Sequence, residues 1–312
     1  MSLSIGLLSW RAHETLRKTL ESYRRANLFA CADDSKVFFN EISDEDRAIA
    51  AEFGVEAVGD ERNLGIWTGM DACAKALKND VILLLQNDCP VVATPEETAA
   101  YLKEGEALVR EGRADLVRLR HRFNQGEGIT YRRFFDYHFV RELDERALAF
   151  GDVGVPANAT EDTLVRKLRR IFRPFAAQKR LVSAIHLEAH PEQVYPQYVK
   201  RDGRFLVVDS ALAQFSEQPL LVSKKFYLEL SDWCRAHPRH RTVNGAPVME
   251  HALRSSHWLR GHFRVAFCET GVFTHNRYDD SWRPDHVSFN AEISKETAGR
   301  AFHRPPKPEE KA

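Results

Sequence analysis

The sequence predicts an α/β fold, a mostly parallel sheet flanked by helices. The first sign is Val81-Ile82-Leu83-Leu84-Leu85, five consecutive apolar residues that end abruptly in Gln86-Asn87-Asp88 and then Cys89-Pro90. A continuous apolar run of that length reads as a strand buried on both faces, the hallmark of parallel sheets. The second is order: within the first ninety residues apolar runs and amphipathic segments alternate as β-α-β-α-β-α-β, which implies a parallel sheet wound right-handed. The third is a pair of capping signatures, Ser43 with Asp46 and Thr94 with Glu97, each opening a helix.

The elements follow in turn. Leu3 to Trp10 reads as the first strand, and 15–28 as an amphipathic helix with Leu16, Leu20 and Tyr23 on one face. Residues 36–40 form a second strand ending at Asn40 and Glu41, after which Ser43 opens a helix to about Phe53. A short strand over 54–58, a helix over 67–77 and the strand over 81–85 complete the series. Thr94 caps a helix to about Glu111, and 115–119 is a fifth strand. Strands are also expected at 205–208, 220–222, 263–267 and 271–274. A helix capped by Ser223 runs to about Ala236, and another spans 247–258. The chain divides into 1–122, an irregular insertion 123–204, a region 205–285 and a tail 286–312, charged and Pro-rich from about Arg304.

Composition narrows the function. The 312 residues carry 45 Lys plus Arg against 45 Asp plus Glu, so no overall field favours nucleic acid. No apolar run approaches the roughly 20 residues of a membrane span. The N-terminus enters a strand at once, so no signal peptide is expected. Five cysteines (Cys31, Cys73, Cys89, Cys234, Cys268) are scattered without C-x-x-C spacing, which fits reduced thiols in the cytoplasm rather than disulfides or a zinc site.

Asp88 stands just past the end of a buried parallel strand, where open α/β sheets bind ligands. Its carboxylate can hold a hard divalent cation, and such a cation can hold a diphosphate. Arg62-Asn63-Leu64-Gly65 lies about two dozen residues earlier, between a strand and a helix. There Gly65 lets the backbone approach a ligand, the helix N-terminus favours anions, and Arg62 can add a charge-assisted contact. An ordinary turn has the same composition.

Taken together these motifs resemble the nucleotide-sugar glycosyltransferases of the GT-A type, most closely the inverting family 2. The resemblance covers about 3–92 well and about 205–280 loosely. It implies a Rossmann-like donor half followed by a C-terminal acceptor-side region. Ser9-Trp10-Arg11 matches the family's first strand end, Glu41 its base-reading acid, and Arg62, Asn63, Gly65 and Asp71 its next donor motif. Asn87 and Asp88 match its Asp-x-Asp segment, although Gln86 replaces the first acid. The resemblance further implies a late histidine on the cation, His275, with Arg277 near the diphosphate. It implies Glu250 as the base that deprotonates the acceptor, with His251 where a second acid is usual. The segment 214–219 before a Pro-Leu strand is similar to the family's acceptor-side loop.

The function implied is transfer of a sugar from a nucleoside-diphosphate sugar to a hydroxyl on a glycan or lipid-linked sugar, with inversion and with Mn²⁺ or Mg²⁺ as cofactor. Mg²⁺ takes carboxylate and phosphate oxygens, and Mn²⁺ accepts imidazole as well. A sugar nucleotidyltransferase is disfavoured, because no Gly-rich basic loop follows the first strand. A non-catalytic GT-A-like protein that binds nucleotide or glycan is the other alternative. Finally, 165–180 carries an apolar helical stripe with an otherwise basic face and no acid. That pattern suits peripheral contact with the inner face of a membrane, and it equally suits a helix packed by its stripe with a solvated basic side.

Overall fold

The computed structural model describes residues 2–122, 164, 185–186, 188, 190–237, 242–243, 246–253 and 256–276. Residues 165–180 and Arg277, singled out above, lie outside the described residues, as does the tail. Four strands alternate with helices first: β1 (Leu3–Ser9), α1 (His13–Arg25), β2 (Asp34–Asn40), α2 (Asp44–Glu52), β3 (Glu56–Asp60), α3 (Gly65–Ala76) and β4 (Val81–Gln86). Then come α4 (Pro95–Arg110), β5 (Leu116–Arg118), α5 (Pro191–Val194), β6 (Lys200–Asp202), β7 (Phe205–Asp209), β8 (Leu220–Ser223) and α6 (Lys224–Ala236). A two-strand ribbon, β9 (Thr242–Val243) with β10 (Ala246–Pro247), leads to α7 (Met249–Ala252), α8 (Ser256–Arg260) and β11 (Arg264–Cys268).

Nine strands form one mixed sheet in the order β3-β2-β1-β4-β8-β5-β11-β7-β6. The pairs within β3-β2-β1-β4 are parallel, and β5 pairs parallel with β11. Strands β8 and β7 run against their neighbours, so the others share one direction. The fold is therefore α/β with a mostly parallel central sheet flanked by helices.

The apolar run of β4 does what its composition requires. Ile82 and Leu84 enter one core layer while Leu83 and Leu85 enter the other, all fully buried. Helices α3 and α6 cover the first layer with Trp67, Met70, Cys73, Tyr227 and Leu230. Helices α1 and α4 cover the second with Leu16, Leu20, Tyr23, Tyr101 and Leu102. Both capping boxes form: Ser43 Oγ accepts from the Asp46 N–H at 3.2 Å while Asp46 accepts from the Ser43 N–H at 2.9 Å, and Thr94 and Glu97 exchange the same bonds.

Three expectations need correction. The strand expected at 54–58 begins at Glu56, because Gly54 takes φ +66° and terminates the preceding helix. The helix expected over 247–258 is two short pieces. Trp258 is anchored on its own account, its indole donating to the Ala213 carbonyl at 2.7 Å and its carbonyl accepting from Ser210 Oγ at 2.6 Å. The strand expected at 271–274 reduces to single bridges of Phe273 with Val91 and with Arg120. Gly271 there has φ +121°, and a Cβ on it would stand 2.3 Å from the His121 Cα.

That crossing positions Phe273 and His275. Gly271→Ala combines backbone strain with a clash against rigid backbone, so it should lower the unfolding free energy by at least about 2 kcal/mol. A reduced urea midpoint at unchanged slope would show this; an unchanged midpoint would mean the crossing is loose.

Candidate donor and acceptor site

The C-terminal ends of β1, β2 and β4 lie side by side, as the register Leu8↔Phe38 and Leu8↔Gln86 requires. The segments leaving them carry Ser9, Trp10, Arg11, Glu41, Asn87 and Asp88. Trp10 Nε1 donates to Glu41 at 3.0 Å, and Arg11 Nη2 bonds both Glu41 oxygens at 3.1 and 3.0 Å. These bonds, Trp10 first and then Arg11, hold the exposed Glu41 carboxyl below the usual range. Arg11, Ala12 and Glu41 all adopt left-handed backbone, at φ 50°, 50° and 59°. Such strain in residues other than glycine costs of order 1 kcal/mol each and concentrates at functional sites. Asn87 donates to Ser9 Oγ at 3.2 Å, and its carbonyl accepts from Thr19 Oγ1 at 2.6 Å.

Asp88 is buried at 1% exposure, and its Oδ2 lies 3.2 Å from His275 Nε2. The His275 segment is pinned beside it, because Thr274 N–H donates to the Pro90 carbonyl and Asn276 N–H to the Asp88 carbonyl, at 3.0 and 2.8 Å. Two ligands at right angles on one small cation, each about 2.1 Å from it, stand about 3.0 Å apart. The Asp88–His275 separation therefore matches that of two adjacent ligands on one divalent ion, and it is equally that of a direct hydrogen bond between the two side chains. Among the described residues no group of three or more His, Cys, Asp or Glu side chains gathers.

The second donor motif divides. Asn63 Oδ1 accepts from the Gly65 N–H at 2.8 Å, and Gly65 takes φ +75°, so this is an Asx-type turn into α3. Asn40 at the end of β2 clamps the turn, donating to the Gly65 carbonyl at 3.2 Å. Arg62 is exposed beside Asp60. Asp71 is not gathered with the rest. It is buried on α3, where Ser231 Oγ reaches both its oxygens at 2.9 and 2.7 Å and Arg235 pairs with it. Trp67 Nε1 donates to the same Ser231 hydroxyl at 2.7 Å, so Asp71 ties α3 to α6.

Glu250, in the first turn of α7, meets the loop before β8. Its Oε1 accepts from Ser216 Oγ at 2.9 Å and from the Glu217 N–H at 3.1 Å. Among the described residues no hydrogen bond reaches its Oε2. A continuous path joins this region to the β5 edge: Arg120 Nη1 donates to Gln218 Oε1 at 2.8 Å, and Gln218 N–H donates to Ser216 Oγ at 3.4 Å.

Residues not singled out as site residues above complete this half. Burial, then the neighbouring Glu250 and Asp71 carboxylates, push the Glu217 carboxyl well above its ordinary range, and its Oε1 has no hydrogen-bond partner among the described residues. Burial, with Arg120 alongside, pulls the Arg118 guanidinium down to about 10. The alternation Arg118-x-Arg120-x-Arg122, unusual on a core strand, was the available sequence signal.

No protein-family model matches the chain, and no curated protein matches it. Solved structures do. S. aureus TarS 1-349 in complex with UDP-GlcNAc aligns over 96% of this chain and 66% of its own, at 11% identity and TM-score 0.44. Glucosyl-3-phosphoglycerate synthase from Mycobacterium tuberculosis, in complex with Mn²⁺, UDP and phosphoglyceric acid, aligns over 95% and 76%, at 14% identity and TM-score 0.42. A structure of TarS 1-349 alone aligns over only 39% of this chain and 36% of its own, at 15% identity and TM-score 0.31. These likenesses concern overall shape, and the chemistry below rests on this chain's own residues. No described helix is long and apolar enough to cross a membrane.

The Glu217 environment fixes a pH dependence. Below the ordinary carboxylate pKa of about 4.3 both folded and unfolded chains hold the proton. As pH rises, the unfolded chain releases it first, so this residue's contribution to stability falls towards the raised folded pKa. Glu217→Gln keeps the shape and removes the titration. Its stability relative to wild type should therefore increase between about pH 5 and 8; parallel urea-midpoint curves across that range would show that Glu217 ionises normally.

Proposed function

We propose that this chain is a glycosyltransferase that moves a sugar from a nucleoside-diphosphate sugar to a hydroxyl acceptor, with inversion and with a divalent cation. The observation that carries the reading is the convergence of Asp88 and His275, 187 positions apart (275 − 88), at 3.2 Å on the C-terminal rim of a parallel sheet. Open α/β sheets bind ligands there, and no need of the core explains a buried carboxylate paired with imidazole at that edge.

In this reading Asp88 and His275 hold Mn²⁺ or Mg²⁺, which when bound neutralises the departing diphosphate. Ser9, Trp10, Arg11 and Glu41 line the nucleotide end, with Arg62, Asn63, Gly65 and Asn87 beside them. Asp71 supports the wall through α6, and Arg277 is assigned to the diphosphate on the family resemblance alone. Glu250 takes the acceptor proton on Oε2, because Ser216 and the Glu217 N–H hold Oε1. Residues 1–122 then bind the donor and 205–285 supply the acceptor side and base, with 123–204 inserted between them and 286–312 a tail. The reading sets the enzyme in the cytoplasm, where its scattered cysteines would stay reduced, and at the inner membrane face for a lipid-linked sugar acceptor, with 165–180 as the membrane contact. Gln86, in the place of a first acid, favours a second reading: a protein of the same fold that binds nucleotide or glycan without catalysis.

Two measurements decide. Thermal unfolding with UDP, GDP, CDP or CMP, with and without Mn²⁺, should give a Mn²⁺-dependent gain of about 2.7 kcal/mol for one nucleotide at about 100 times its Kd. The gain should disappear in Asp88→Ala, whereas a shift that survives would remove Asp88 from the site. Glu250→Gln should retain that shift and lose about 10²- to 10⁴-fold in transfer rate. Binding without any transfer in wild type would establish the non-catalytic reading.

A further inference from the structure

Arg118 is placed where a guanidinium has little reason to be. The register aligns Leu84 of β4, Leu220 of β8, Arg118 of β5 and Phe267 of β11 in one row across the sheet. Alternation along β5 puts Arg118 on the face of Leu116, which belongs to the core layer containing Phe215, Tyr227, Met249 and Trp258. Arg118 itself is half-buried at the edge of that layer, and a guanidinium held there is normally ion-paired or hydrogen-bonded. Yet among the described residues its one hydrogen bond runs from Nη1 to the Gln214 carbonyl at 3.4 Å, and no carboxylate oxygen lies within ion-pair distance. Glu250 is the carboxylate that acts on it electrostatically, and burial with Arg120 nearby lowers its affinity for its own proton. Burial raises the Glu217 carboxyl well above its ordinary range. One row further out, Arg120 bonds Gln218, so a guanidinium and an amide stand at the rim directly above Arg118. A planar fork with donors to spare, set in a poorly solvated wall, is the arrangement that binds phosphate or carboxylate.

We infer that Arg118, with Arg120 and Gln218 at the rim, forms an oxyanion subsite beside Glu250, and that the acceptor is a hydroxyl compound bearing a phosphate or carboxylate group. The assignment to an acceptor rests on the glycosyltransferase reading; the anion subsite itself does not. Binding an anion there holds one end of the acceptor, so that its hydroxyl can be presented to the base.

Inorganic phosphate is the probe, read by thermal unfolding of the full chain at matched ionic strength. The ligands are titrated alone and together with a saturating nucleoside diphosphate and Mg²⁺. Wild type should be stabilised by phosphate, and the gain should persist with the nucleotide bound. In Arg118→Gln the phosphate affinity should drop at least about tenfold while the nucleotide shift is unchanged. Arg118→Lys keeps the charge but not the fork, and should bind phosphate several-fold more weakly than wild type. If Arg118→Gln does not fold, the lysine variant decides, and an unchanged phosphate affinity overturns the proposal. So does the absence of a phosphate shift in wild type, or an equal shift in Arg118→Gln. A phosphate shift abolished by saturating nucleotide overturns the acceptor assignment, because the anion then occupies the donor diphosphate position. Should no nucleotide bind wild type while phosphate binding still depends on Arg118, the glycosyltransferase reading fails and the anion site stands.

Discussion

Strand β8 enters the sheet antiparallel between β4 and β5, pairing Leu84 and Arg118 to the same residue, Leu220. Because it runs against them, its beginning meets their C-terminal ends. The loop Ser216–Glu217–Gln218 is thereby delivered to the rim that Asp88 and Arg120 occupy. Without this ladder the two halves of the site would have no common edge. Strand β11, parallel to β5, then returns the chain through Gly271 to set His275 against Asp88.

The two sides of the rim differ in electrostatic character. On the β1-β2-β4 side Asp88 and Ser9 are buried while Arg11 and Glu41 reach solvent, and bonds from Trp10 and Arg11 hold the Glu41 carboxyl below the usual range. On the β8-β5 side burial raises the Glu217 carboxyl well above its ordinary range and pulls the Arg118 guanidinium down to about 10. Low solvation strengthens any charge interaction that forms there, and makes each unmatched charge costly. Glu250 meets the same loop with one oxygen anchored by two donors, the Ser216 hydroxyl and the Glu217 N–H.

Much of the architecture was legible because it depends on neighbours in sequence. Ser43 with Asp46 and Thr94 with Glu97 cap helices through bonds spanning three residues. The run from Val81 to Leu85 declares a doubly buried strand wherever it sits. The polar break at Gln86-Asn87-Asp88 marked the end of that strand for the same reason. Asp71 shows what spacing leaves out: it fits a donor motif by its distance from Gly65, and Ser231 and Arg235, 160 and 164 residues later, hold its carboxylate.

What the sequence determined by itself was the α/β class, the helix starts capped by Ser43, Thr94 and Ser223, and the polar strand ends, all fixed by periodicity, capping and backbone preference over a few residues. Tertiary structure alone decided which edges meet. It inserted β8 between β4 and β5, broke the expected helix at 247–258 to anchor Trp258, and turned Arg118 into the core face beside Glu250. Those outcomes follow from strand pairing and side-chain packing between segments a hundred or more residues apart, and such energies have no local signature.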